Sequence, residues 1–96
     1  MRRILPLLAL GALLGCAASP PEPALLDTKS ETCRFCRMPV SDAHLAAQVV
    51  AKGEEPKFFD DLGCLRDFLA ASPAPAESVV YVADHRSGAW VRAEAA

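Results

Sequence analysis

No run of basic residues occurs anywhere in this chain, and that absence excludes nucleic acid as a partner. Binding to a phosphate backbone draws its affinity from clustered Lys and Arg. Nor is there an apolar stretch of the roughly 20 residues that a bilayer-spanning helix requires. The most apolar segment, residues 4–14, falls well short of that. No internal repeat is visible, and no nucleophile, base and acid stand together in a supporting motif. The chain therefore reads as a binding protein, not an enzyme. At 96 residues it is also too short for a large core, so it is expected to lean on a metal, a disulfide or a partner.

What is present begins with the N-terminus. Arg2 and Arg3 precede the apolar segment 4–14, the flank pattern of a secretory signal. The segment ends Leu13-Leu14-Gly15-Cys16, which resembles a bacterial lipobox. The expectation is a signal peptide over residues 1–15, with Cys16 becoming the acylated first residue. Two or three acyl chains anchor stably where one does not. The competing reading, cleavage near Ala17-Ala18-Ser19, would discard Cys16. Ala17 rather than Asp after the cysteine leans towards outer-membrane sorting, with the protein facing the periplasm. Setting Arg2 and Arg3 aside leaves eight Lys and Arg against twelve Asp and Glu, a net charge near −4. Residues 16–30 carry three prolines and read as a tether, extended at about 3.1 Å per residue.

The remaining residues, 31–96, read as one domain. Residues 45–51 are strand-like, residues 52–56 are a polar turn with Gly53 and Pro56, and Lys57-Phe58-Phe59 opens a second strand to close a hairpin. Asp60 or Asp61 can cap a helix running to Ala71, with Leu62, Leu65, Phe68 and Leu69 at three- and four-residue spacing. Ser72-Pro73-Ala74-Pro75 stops it. Residues 78–84 form the clearest strand, residues 86–88 turn, and residues 89–92 form a short last strand. The order ββαββ predicts a small α+β domain, one helix packed on an antiparallel sheet in a ββαβ-type unit.

The chemistry is concentrated in Cys33-Arg34-Phe35-Cys36-Arg37-Met38, two thiols and a thioether in one short stretch. Thiolate and thioether are soft ligands that suit Cu(I) far better than Mg(II), Ca(II) or Mn(II). With Cys16 taken by lipid, Cys33, Cys36 and Cys64 remain, and an odd count is not a closed disulfide framework. Arg37 stands where covalent c-type haem would need His. Zinc remains an alternative, with Cys33, Cys36 and Cys64 joined by His44 or His85. A Cys-x-x-Cys redox pair is another, although Pro39 argues against the helix that a thioredoxin-like site would want there. Met38 favours copper, since zinc scarcely uses a thioether and redox chemistry does not need one. Against these stand blander roles. Met38 can be core filler, Cys64 a small buried hydrophobe, and His44 and His85 surface histidines.

Cys33-x-x-Cys36-x-Met38-x-Val40-x-Asp42 is followed by Phe59-Asp60-Asp61-Leu62-Gly63-Cys64-Leu65, then Tyr81-Val82-Ala83-Asp84 and Ala89-Trp90-Val91-Arg92-Ala93. Together these blocks resemble the NosL family, copper-binding lipoproteins accessory to nitrous oxide reductase, over residues 31–93. The resemblance implies a ββαβ-type fold and Cu(I) held by Cys36 and Met38, with Cys33 auxiliary. It also implies delivery of copper to a client cuproprotein, either nitrous oxide reductase or a cytochrome oxidase assembly component. The residue between Cys and Met, usually Gly in the family, is Arg37. Its charge beside the thiolate is expected to lower the Cys36 pKa. Longer relatives carry a second similar unit, so the resemblance is to a single unit.

Overall fold

A computed structural model describes residues 19–96. The expected signal peptide and Cys16 lie outside the described residues. The fold is α+β, a four-stranded antiparallel sheet with one helix. Strands β1 (Ala47–Val50) and β2 (Lys57–Phe59) form a hairpin, followed by α1 (Leu62–Ala71), β3 (Val79–Ala83) and β4 (Trp90–Arg92). A 3-10 turn over Ala93–Ala95 follows. The sheet order is β2-β1-β3-β4. Among the described residues no helix is long and apolar enough to cross a membrane.

Local sequence explains each element. Gly53 at φ 80 supplies the left-handed residue that the β1–β2 turn requires, with the Glu54 N–H donating to the Ala51 carbonyl at 3.1 Å. Of the two candidate caps, Asp61 does the work: its side chain accepts from the Cys64 N–H at 2.8 Å. On the helix, Leu65 is buried and Phe68 and Leu69 are half-buried, as their spacing predicts. Leu62 departs from that face and is 56 % exposed, because it occupies the first helical position, where the chain has only just turned away from the sheet. The Phe59 and Phe68 rings meet at 5.1 Å and 53°, a tilted contact worth about 1 kcal/mol beyond its buried area.

All four residues of β1 are buried, which means both faces of this central strand are covered. The helix packs on β1 and β2. The other face carries the row Phe58, Gln48 and Tyr81, aligned by strand register, and residues 21–26 meet it. Gln48, 0 % exposed, donates its amide to the Ala24 carbonyl at 3.1 Å and accepts the Ala24 N–H at 2.9 Å. The Tyr81 hydroxyl donates to the Pro21 carbonyl at 2.6 Å. Ala24 and Leu26 pack against the core. The proline-rich segment expected to stand free as a tether is thus a strap laid along the sheet over this stretch. Its extended form follows from its prolines; its docking follows from a buried amide that needs partners.

Candidate metal centre

Residues 33–38 fold into a tight knuckle rather than an extended run. The Cys33 N–H donates to the Met38 carbonyl at 2.8 Å and the Arg37 N–H to the Cys33 carbonyl at 3.1 Å. Thr32 and Pro39 bridge at its base, and the Val40 N–H donates to the Glu31 carbonyl at 3.0 Å. The Arg34 N–H donates to the Phe58 carbonyl at 2.8 Å, which fastens the knuckle to the open edge of β2. Arg37 adopts φ 69, a left-handed conformation costing a side-chain-bearing residue about 1–2 kcal/mol. Glycine would hold that position without cost.

Three cysteines converge on this knuckle. Cys33, Cys36, Asp60 and Cys64 each offer a ligand atom, and these atoms lie within 4.8 Å of one another. Asp60 directly follows β2, and Cys64 sits in the first turn of α1. One chain reversal, strand to helix, therefore carries two of the four groups to the two that the knuckle supplies. The four are graded in exposure: Cys33 is fully buried and Cys36 exposed, with Asp60 and Cys64 between them. The Cys36 N–H donates to the Cys33 sulfur at 3.5 Å, and the Cys36 thiol donates to Asp60 Oδ1 at 3.4 Å.

The electrostatics are those of protons shared among crowded acids. The Met38 N–H pulls the Cys36 thiol down. Desolvation and the hydrogen bonds with Cys33 and Asp60 outweigh it, so the net direction is up. The expected lowering by Arg37 is therefore corrected: the groups that set this thiol are Met38, Cys33, Cys64 and Asp60, and the balance opposes ionisation. Burial pushes the Cys64 thiol up, reinforced by Cys36, Asp60 and Cys33. Burial acts to raise Asp60, but hydrogen bonds from the three thiols overcome it and hold the carboxyl below its usual range. The metal-free cluster is thus a carboxylate accepting from thiols. An incoming cation replaces those protons, because thiolates and not thiols are ligands.

Of the other sequence-predicted residues, Met38 borders the cluster through its backbone and the histidines lie outside it. Met38 is 58 % exposed, and its backbone N–H and carbonyl bind Cys36 and Cys33. His44 donates Nδ1–H to the His85 carbonyl at 2.9 Å, and this histidine pair lies outside the four-residue group. Cys64, read either as a small buried hydrophobe or as a further ligand, belongs to the cluster. Asp60 was not anticipated. Its signal in the sequence is the Asp60-Asp61 pair: one aspartate suffices to cap a helix, which leaves the other for a different task. The four groups fit a thiophilic metal ion by donor chemistry, three sulfurs and one oxygen. Compared with protein-family models, with curated proteins and with solved structures, the chain matches none.

Proposed function

We propose that this protein is a Cu(I) carrier of the cell envelope that passes copper to a client cuproprotein, with nitrous oxide reductase or a cytochrome oxidase assembly component as the client that the NosL-like residues suggest. The observation that carries the reading is the convergence of three thiol sulfurs beside an exposed edge formed by Cys36 and Met38. Sulfur-only sites of two or three ligands satisfy Cu(I). Cys33 and Cys64 hold from within, and exposed Cys36 is the ligand an incoming thiol replaces first. Met38 at the mouth offers a further soft donor during exchange. Cys16 would anchor the protein by its acyl chains on the periplasmic side, the outer membrane being favoured.

A zinc-binding lipoprotein is the second reading, favoured by one observation. The fourth group is the carboxylate of Asp60, an oxygen donor that zinc accepts readily, and no histidine is required. A thiol–disulfide oxidoreductase is less supported, since Cys33 is buried and the exposed Cys36 thiol is raised, where an attacking thiolate wants a lowered pKa. Anaerobic titration of the reduced protein against a Cu(I) chelator, with Zn(II) in competition, tests the choice. About one Cu(I) per chain is expected, with preference over Zn(II). Stoichiometric zinc with no Cu(I) uptake would overturn the carrier. For the anchor, Cys16→Ala is expected to release the protein from membranes or leave it unprocessed; unchanged fractionation would remove the lipid assignment.

A further inference from the structure

The knuckle that supplies Cys33 and Cys36 carries a second kind of information on its outside. Its four other residues are Arg34, Phe35, Arg37 and Met38, all exposed, and Phe35 and Met38 are among the large apolar side chains left open to solvent at 45 % and 58 %. Both charges here are positive, in a described chain whose overall balance is acidic. Among the described residues neither arginine is ion-paired, a condition shared with Lys29, Lys52 and Arg86. Arg37 moreover holds a left-handed backbone position that glycine would fill without strain. An arginine kept at such a position, unpaired and in solvent, has no evident folding role.

From this we infer that the knuckle is a docking tip: an apolar pair, Phe35 and Met38, framed by Arg34 and Arg37, that seats a protein partner presenting acidic groups around its own soft-metal site. Charge complementarity names the partner's chemistry, and the position of Cys36 between the arginines fixes what is exchanged there. Two cations fall below the four to eight that characterise attachment to anionic lipid, which favours a protein surface over a membrane. The arginines steer the encounter, and the apolar pair excludes water once it is made. The inference rests on the carrier reading for the cargo but not for the surface. In the exchange, copper stays Cu(I), the acceptor thiols give up protons as they bind it, and the donor thiolates take protons up.

The test uses two synthetic dithiol peptides of identical core, one flanked by aspartates and its twin by lysines. In NMR titrations of the metal-free protein, the aspartate peptide is expected to shift the amides of residues 33–38, and added salt to weaken the effect. In stopped-flow transfer from the Cu(I)-loaded protein, Arg34→Gln with Arg37→Gln should slow delivery to the aspartate peptide by about tenfold at unchanged Cu(I) affinity. Arg→Lys at both positions should restore most of it. Equal perturbation by both peptides, or an unslowed double Gln variant, would overturn the docking tip. So would binding to phosphatidylglycerol vesicles without preference between the peptides. Selective binding of the aspartate peptide by a protein that takes up no Cu(I) would keep the surface and remove the carrier reading, so the two fail separately.

Discussion

The domain has two corners rich in ligand-type side chains, and they are built in opposite ways. At the cysteine corner, Cys33, Cys36, Asp60 and Cys64 bring their donor atoms together from two stretches of chain, the knuckle and the β2–α1 reversal. At the histidine corner, around His44 and His85, the donors are spent on holding loops together. The His44 ring donates to the His85 carbonyl, and the His44 N–H donates to Asp42 Oδ1 at 2.9 Å. In the facing loop the Arg86 N–H donates to Asp84 Oδ1 at 2.9 Å and the Gly88 N–H to the Asp84 carbonyl at 2.7 Å. Both corners are supplied with ligand-type side chains; what differs is whether loop backbone or other ligands receive them. A site arises only where the fold leaves the side chains each other for company.

The largest effect that separates the corners is on metal affinity. Cys36→Ser or Cys64→Ser should weaken binding of a thiophilic ion by more than about a hundredfold, since even outer partners of metal ligands commonly cost ten- to a hundredfold. His44→Ala and His85→Ala should leave it unchanged. Competition titrations on the four variants check this, and a loss in a histidine variant equal to that in a cysteine variant would dissolve the distinction.

Acid and base act on the cysteine corner with opposite signs. Asp60 is held below its ordinary 3.8, so its contribution to folding is present above that value and disappears as pH falls through the lowered one. Cys64 is held above its ordinary 9.0, so its contribution is present below 9.0 and is lost as pH rises beyond it. The metal-free protein should therefore lose stability from this corner at both extremes. Denaturant melts with and without Asp60→Asn and Cys64→Ala read the two limbs. Metal uptake should release protons and strengthen as pH rises from acid to neutral.

The histidine corner has its own breaking point in Gly88. At φ +78, with a Cβ there only 3.2 Å from His44 Nε2, Gly88→Ala should cost about 1–2 kcal/mol, read by thermal melting, with metal affinity unaltered. A smaller effect of about 1 kcal/mol is expected from Asp61→Ala, which removes the cap from the turn that carries Cys64. Here stability and metal affinity should fall together, because the cap and the ligand share one turn. The smallest is Met38→Leu. An exposed, volume-conserving change should cost little stability, less than about 0.5 kcal/mol, while Cu(I) affinity falls if the thioether ligates. Unaltered affinity would leave the three cysteines as the whole sulfur set.

Much of this arrangement was legible in the sequence. Val79, Val80, Tyr81 and Val82 are the β-branched and aromatic residues that a strand prefers, and Asp61 with the Leu65–Phe68–Leu69 spacing announces a helix. The Cys33–Met38 cluster was visible as soft chemistry. Cys64 was visible as one candidate to complete it, but Asp60 was not, because it reaches the cluster only through the angle at which α1 leaves β2, a tertiary fact with no sequence period. The strap was hidden by composition, since prolines read as spacer. The clue lay in Gln48, a polar side chain in the middle of an apolar strand, which demands a partner when both faces are covered.

The strap also has a mechanical consequence. Chain entering the domain is gripped first by Tyr81 and then by Gln48, runs through the turn of residues 27–31, and only then reaches the Thr32–Pro39 bridge that closes the knuckle. These attachments lie in series. A pull arriving from upstream of Ser19 would be borne by the sheet at Pro21 and Ala24 before any of it reached Cys33, so the strap would serve the cysteine corner as strain relief.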